Sequence, residues 1–332
     1  MQPPKKILIR LPNWLGDMVM STSFVKALAI QFPGATIDLI AKKGIDFLAA
    51  YFPPHHQVFI FDKSVHKGIK GAWQFGRSIR RQKEYDLFFC LPDSFSSALI
   101  AKATGAKKTI GFKKELRSVL LSHSYTKPGN LHRVEEYINL LSQFLKTQID
   151  VPPVQLLHGR YEKKKGVVIN INSEASSRRL PVVKAISIID SIRKNITEEI
   201  ILVGSPKEKN FVEEVYNSLA DKTGIFNIAG QTALPELLNV FAENLLLLTT
   251  DSGPAHVANA LGTPTIVLFG AGNEFNTAPY NKVNSSIIRL GKLPCEPCLS
   301  NTCKLYGVPE CLLQLDESLI TQKVKNILNS IK

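Results

Sequence analysis

The chain of 332 residues lacks any apolar run long enough to cross a bilayer. Runs such as Leu245 to Leu248 and Leu87 to Leu91 span a few residues each, against the ~20 that a spanning helix needs. The opening M-Q-P-P-K-K-I-L-I-R passes into a strand pattern without a secretory core, so a cytoplasmic protein is expected. There is no Walker loop and no G-x-S-x-G elbow, and the one G-x-G, Gly270-Ala271-Gly272, lacks a third glycine. These absences argue against P-loop, serine-hydrolase and dinucleotide chemistry. No D-x-D pair is present either. A divalent metal bridging a nucleotide diphosphate is thereby disfavoured, which leaves backbone amides, helix dipoles and basic side chains for that task. Internal repeats and low-complexity segments are also missing.

Acidic residues are in deficit: 28 Asp and Glu stand against 41 Lys and Arg, a formal net charge of +13. Such a balance favours a polyanionic partner: nucleic acid, an anionic membrane face, or a substrate rich in phosphate and carboxylate. The basic residues occur in small groups, among them Arg80-Arg81, Lys107-Lys108, Lys113-Lys114 and Lys163 to Lys165, without interleaved aromatics. Nucleic acid is therefore the weaker option, and a merely solvated basic surface accounts for any one group.

Strand-like and helix-like segments alternate along the chain. Strands are expected at Lys5 to Arg10, Thr36 to Ala41, Gln57 to Phe61 and Leu87 to Leu91. Helical segments are expected near Asp46 to Tyr51, Gly68 to Gln82, Ser94 to Thr104 and His132 to Lys146. Asp150 to Pro153 and the charged Tyr161 to Lys165 form the candidate interdomain connection, after which Gly166 to Asn172 restarts the alternation. This predicts an α/β protein of two tandem units with parallel sheets: residues 1–155, residues 156–315, and an amphipathic terminal helix within 316–332 that would pack back toward the first domain.

Three loops and a cysteine cluster carry the chemistry. Leu245 to Gly262 reads as a buried strand, a polar turn at Asp251-Ser252-Gly253, and a helix begun by Pro254. Unpaired amides and the positive end of a helix dipole then meet above the sheet, a ready anion site; an ordinary capped connection with a satisfied His256 is the alternative. Asp17 follows a glycine just past the first strand. It is either a helix cap or a general base whose basicity the helix terminus lowers and burial must restore. Asn172 to Pro181 sets Ser173 and the pair Arg178-Arg179 in a polar loop suited to phosphate oxygens, although a solvated basic loop would look the same. Glu208, after Val203-Gly204-Ser205-Pro206-Lys207, is placed to cap a helix or to accept hydrogen bonds from ribose hydroxyls. Four of the five cysteines, Cys295, Cys298, Cys303 and Cys311, fall in one short segment. In a reducing compartment that clustering suggests a structural zinc site before disulfides, with reduced, unligated thiols as the alternative; Cys90 lies in an apolar strand and reads as core.

These motifs together resemble glycosyltransferase family 9, the lipopolysaccharide heptosyltransferases. The resemblance rests on P-N-W-L-G-D-M-V-M-S, L-P-D-S-F-S-S-A, the Ser173 to Pro181 loop, V-G-S-P-K-E, A-G-Q-T and T-D-S-G-P-A-H-V-A-N-A-L-G-T-P-T-I-V-L-F-G. Its N-terminal half is closest to the type II enzymes. The resemblance implies a GT-B fold, two Rossmann-like doubly wound domains facing across a cleft, and an inverting transfer with no obligatory metal. The donor would be ADP-L-glycero-D-manno-heptose and the acceptor an anionic heptosyl-Kdo2-lipid A at the cytoplasmic face of the inner membrane, which the positive charge suits. By the same resemblance Asp17 would be the base, Arg178 would stabilise the leaving diphosphate, and Asn13, Trp14 and Gly16 would meet the acceptor. Ser173, Glu208, Asp251, Ser252, Gly253 and His256 would hold the donor. The family usually carries lysine and an aromatic where this chain has Arg178 and Leu180. Two alternatives are a relative using another nucleotide sugar or acceptor, and a non-catalytic nucleotide- or glycan-binding protein on the same fold.

Overall fold

A computed structural model describes residues 3–159 and 166–331; the basic run expected as part of the connection, 161–165, lies outside them. The chain divides into two units, Met1–Leu157 and His158–Lys332, two residues beyond the expected boundary.

The first unit is built on a parallel sheet of β1 (Lys6–Arg10), β2 (Thr36–Lys42), β3 (Gln57–Phe61), β4 (Leu87–Cys90), β5 (Lys108–Phe112) and β6 (His123–Tyr125), in the order β3-β2-β1-β4-β5-β6. The connecting helices are α1 (Leu15–Met20), α2 (Thr22–Gln31), α3 (Gly68–Gln82), α4 (Phe95–Ala103) and α5 (Arg133–Leu145). Helices α3 and α4 pack together, followed by a 3-10 segment at Glu115–Leu120 that packs on α4, while α2 packs with α5. Strand periodicity serves both layers: Leu8, Phe88 and Cys90 join the core with Phe75 and Ile79 of α3, while Phe89 meets Phe24 of α2 and Phe144 of α5 edge-on. Gly76 sits inside α3 because a Cβ there would stand 2.6 Å from Ala103 Cβ and from the Ile100 carbonyl. Only glycine allows this crossing with α4, despite its cost in a helix interior.

The second unit repeats the plan with β7 (Gly166–Asn170), β8 (Glu199–Leu202), β9 (Ile225–Asn227), β10 (Leu246–Thr250), β11 (Thr265–Phe269) and β12 (Ser285–Arg289), in the order β12-β11-β10-β7-β8-β9. Strands β7, β10 and β11 are buried at every position, as largely apolar strands covered by helices on both faces should be. The helices are α6 (Val182–Arg193), α7 (Lys209–Asn217), α8 (Leu234–Glu243), α9 (Gly253–Ala260), α10 (Glu274–Thr277), α11 (Glu310–Leu313) and α12 (Glu317–Ile331). The terminal helix α12 packs on α6. Its Ile320, Val324 and Leu328 are buried in the core of this second unit, where the sequence pattern pointed to a face turned to the first. Lys184 of α6 fastens it through Glu317 (2.5 Å) and the Leu315 carbonyl (2.7 Å). Among the described residues no helix is long and apolar enough to cross a membrane.

Strand order decides where loops meet. The chain leaves β1 toward β2 on one side and later returns to β4 on the other, so the loops after β1 and β4 part and leave a crevice. The loops after β7 and β10 do the same in the second unit.

Candidate active site

In the first unit the loop after β1 is fixed from below by Arg10, whose guanidinium is almost wholly buried. It donates to the Leu11 carbonyl at 2.7 Å, the Ile40 carbonyl at 3.2 Å and Asn13 Oδ1 at 2.5 Å. Burial pulls its pKa down to about 10, and the carbonyl dipoles around it satisfy a cation that cannot leave. Asn13 is thus held by the scaffold. Trp14 stands exposed with Lys42 Nζ 5.7 Å from its ring centroid, and Gly16 is buried in the first turn of α1.

Asp17 lies in that same turn and caps nothing, since α1 has no side-chain cap. Its carboxylate is 27% exposed and faces Arg133 Nε at 3.5 Å. From there an alternating chain of charges runs along the crevice. Arg133 meets Glu136 at 2.6 Å, Glu136 meets Lys127 at 3.1 Å, Lys127 meets Asp93 at 3.2 Å, and Asp93 meets Arg117 at 3.6 Å. Arg117 is buried and also donates to the Phe112 carbonyl and to Cys90 Sγ, so Cys90 serves the core and the charge chain alike. Desolvation raises the Asp17 carboxyl above the usual aspartate range, and the nearby Arg133 and Lys127 only partly offset it. Burial thus outweighs the neighbouring cations and leaves the more basic carboxylate that a general base calls for. The Tyr137 hydroxyl, buried beside it, is raised too, by burial first and by Asp17 second.

In the second unit Asp251 closes β10. Its side chain is 6% exposed, and Arg178 Nη1 stands 3.3 Å from Oδ2. Burial lifts this carboxyl as well, against the pull of Arg178 and Arg289. The loop behind it is shaped by absence of a side chain: a Cβ on Gly272 would lie 2.0 Å from Asp251 Oδ2. Arg289 braces that loop through the Gly270 and Gly272 carbonyls and Glu274.

Asn170 ties the two loops of this crevice together. Its Nδ2 reaches the Asn172 carbonyl, Thr249 Oγ1 and Ser252 Oγ at 3.0 to 3.2 Å. The Ser252 hydroxyl is drawn inward to this network and does not cap α9. The first turn of that eight-residue helix, with Gly253, consequently keeps its amino-terminal dipole without a side-chain cap. His256 is buried one turn into it. Ser173 is buried, and its carbonyl accepts from Arg179 at 3.1 Å. Arg179 also lies over the Phe211 ring, so of the paired arginines only Arg178 turns to Asp251. Glu208 precedes α7 and accepts the Ser205 amide at 2.8 Å, a turn-closing role beside any contact its other oxygen makes.

Cys295, Cys298, Cys303 and Cys311 line one small cavity. Among the described residues no group of three or more His, Cys, Asp or Glu side chains is arranged to hold a metal. The zinc expected from the spacing is thus not supported. Burial pushes the Cys311 thiol up to about 11, with Glu296 and the neighbouring cysteines adding to the shift. What the segment does is brace the arginine loop, for Ser177 bonds the Ser300 carbonyl at 2.5 Å, Ser176 the Asn301 carbonyl at 3.2 Å, and Leu299 N the Ala271 carbonyl at 2.9 Å.

Sequence reasoning missed Arg133, Glu136, Lys127, Arg117, Asn170, Gly272 and Arg289 as parts of these crevices. Asp93 carried a usable signal, since it follows β4 as Asp17 follows β1. Arg133, far along the chain on α5, carried none.

Two doubly wound units, each with a carboxylate and an arginine at its switch point, are the makings of a GT-B glycosyltransferase. The family model for glycosyltransferase family 9 (heptosyltransferase) matches residues 72–308, and the chain belongs to that family. It is 29% identical over 314 residues to lipooligosaccharide heptosyltransferase 2 of Haemophilus ducreyi, covering 86% of this chain and 88% of that protein. It is 28% identical to lipopolysaccharide heptosyltransferase 2 of Escherichia coli, again over 86% and 88%. The solved E. coli ADP-heptose LPS heptosyltransferase II superimposes with a TM-score of 0.81 at 24% identity, covering 98% of this chain and 99% of that one. A family 9 glycosyltransferase of Veillonella parvula gives 0.85 at 20%, covering 98% of each. The chain is therefore a glycosyltransferase with the GT-B fold.

Proposed function

We propose that the chain moves a heptosyl group from ADP-L-glycero-D-manno-heptose to the inner core of a lipopolysaccharide, with inversion, on a heptosyl-Kdo2-lipid A type acceptor. The observation that carries the reading is Asp17: a partly exposed carboxylate, raised by burial, at the switch point of the first unit beside Arg133. Asp17 takes the proton from the attacking acceptor hydroxyl as the bond to the anomeric carbon forms. The anomeric bond to the diphosphate breaks in the same displacement, so no protein nucleophile is needed. Asn13, Trp14 and Gly16 frame the acceptor, while Arg133 and Lys127 offer cations to its acidic sugars. In the second unit the Ser252 and Gly253 amides and the α9 dipole receive the diphosphate, and Arg178 neutralises its charge as ADP departs. Ser173 and His256 line that site, Asp251 holds Arg178 toward it, and Glu208 reaches the ribose.

The relatives named as lipooligosaccharide and lipopolysaccharide heptosyltransferase 2 support a heptosyl donor and a lipopolysaccharide acceptor. The absence of a D-x-D pair from the sequence agrees with a transfer that needs no bridging metal. The protein would act from the cytoplasm, at the surface of the membrane that holds a lipid-linked acceptor. A panel of ADP-, GDP- and UDP-sugars, assayed with and without a heptosyl-Kdo2 acceptor, tests the reading. Transfer from the ADP-heptose alone is expected; preference for another nucleotide sugar would replace it.

A further inference from the structure

From residue 63 to residue 83 the sequence holds seven lysines and arginines and no acidic residue. The segment contains the turn after β3 and all of α3. One side of α3 is spent on the core through Ala72, Phe75 and Ile79. The other presents Ile69 (65% exposed), Trp73 and Arg77 at four-residue steps, with Lys70, Arg80 and Arg81 exposed alongside. Among the described residues none of these four cations has an ion-pair partner. An exposed isoleucine and tryptophan in line with cations that no carboxylate neutralises present apolar and positive surface together, the combination that an anionic surface with an apolar interior complements.

Beyond α4, which packs between them, the Glu115–Leu120 segment adds Leu116 and Val119, 76% and 78% exposed, next to exposed Lys113 and Lys114. Helix α3 starts where β3 ends and the 3-10 segment follows β5. The apolar tips of both therefore lie toward the carboxyl edge of the sheet, the edge that carries Asp17. In the order β3-β2-β1, β3 lies two strand spacings from β1, roughly 10 Å.

We infer that this face, led by α3, seats the first unit on an anionic lipid bilayer. Ile69 and Trp73 enter the headgroup region, where an indole is at home, and the lysines and arginines pair with lipid phosphates. The pairing of apolar anchors with basic flanks selects a membrane over nucleic acid, whose recognition would call for several stacking aromatics where α3 exposes one. The inference deepens the proposed function by naming the surface that brings Asp17 to a lipid-linked acceptor, and it rests on that reading only for why a membrane should be met.

The test is sedimentation of the full chain with vesicles of phosphatidylethanolamine and phosphatidylglycerol, against vesicles of phosphatidylcholine alone. Wild type should bind the anionic vesicles, release in high salt, and shift its tryptophan emission to the blue, a shift lost in Trp73→Phe. Lys70→Glu/Arg77→Glu/Arg81→Glu should bind at least ~30-fold more weakly, from the loss of surface cations. The same variant should keep wild-type transfer to a water-soluble, deacylated acceptor, which shows that it folds. A matched triple on the second unit, Lys194→Glu/Lys323→Glu/Lys325→Glu, should bind as wild type does. Undiminished vesicle binding by the α3 variant, an equal loss in the matched triple, or binding of α3 to nucleic acid in preference to vesicles would each overturn the inference. Vesicle binding as expected, in a chain that transfers no heptose to either acceptor, would sink the functional reading and leave the surface standing.

Discussion

Each unit holds a carboxylate–arginine pair at its switch point, after the first strand in one unit and after the fourth in the other, and the two pairs differ chemically. Asp17 and Arg133 stand at the β1/β4 switch point, Asp251 and Arg178 at the β7/β10 switch point. Burial raises both carboxyls. Yet Asp17 keeps 27% of its side chain open and shares its arginine with Glu136, whereas Asp251 keeps 6%, with Gly272 pressed against it. An open carboxylate of raised basicity can exchange a proton with a ligand, while an enclosed one can only orient its partner. On the proposed reading, the switch point supplies a base in the first unit and a brace in the second.

The largest effect that would sharpen this contrast is on turnover. Asp17→Asn should lower kcat by ~10² to 10⁴, the usual worth of a general base, while ADP-sugar affinity, measured by calorimetry, stays near wild type. A variant that keeps its turnover would remove Asp17 from the chemistry.

Next comes stability in the second unit. Gly272→Ala forces a methyl into the Asp251 carboxylate and should cost about 1–3 kcal/mol in chemical denaturation, as overpacking does, together with weaker donor binding. Arg178→Ala leaves Asp251 enclosed without its cation; because Arg178 is 30% exposed, a loss of about 1 kcal/mol is expected after solvent screening, with donor affinity reduced and Arg178→Lys restoring part of it. If Arg133→Ala proved the more damaging of the two to donor affinity, the assignment of roles to the units would have to be exchanged.

A smaller effect appears in pH dependence. The acid limb of kcat/KM should lie above the range of an ordinary aspartate, and Arg133→Gln should displace it further upward, because Arg133 holds the Asp17 value down. For stability the sign is opposite to that of a salt-bridged acid. A raised folded-state value means that the proton stabilises the fold at acid pH, and this contribution is lost as pH rises through the raised value. Asp17→Asn should flatten that decline in melting experiments. The smallest effect belongs to the cysteines: Cys298→Ser, at an exposed thiol, should change stability by less than ~0.5 kcal/mol and leave transfer and metal content unchanged. A large loss together with release of stoichiometric zinc would reinstate the metal site.

Much of the fold was legible because short apolar runs and helical spacing are local signals. The buried runs at β1, β4 and β10 were found where they stand, and the Asp251-Ser252-Gly253 turn lies between strand and helix as its residues suggested. Short or edge strands such as β6 and β12 were not found; β6 spans three residues, only half buried, and β12 mixes serines with its isoleucines. The terminal helix was found, but its partner was not, because an amphipathic stripe states that a face is buried without stating against what.

What the sequence determined by itself is the inventory: two α/β units, a carboxylate after the first strand, a polar turn before α9, and a surplus of positive charge. Tertiary structure alone decided which of these groups are brought together. Arg133 reaches Asp17 because strand order opens a crevice that α5, more than a hundred residues downstream, comes back to border. Burial then sets the sign of the pKa shift. Both depend on what surrounds a side chain in space, and neighbours along the chain do not report it.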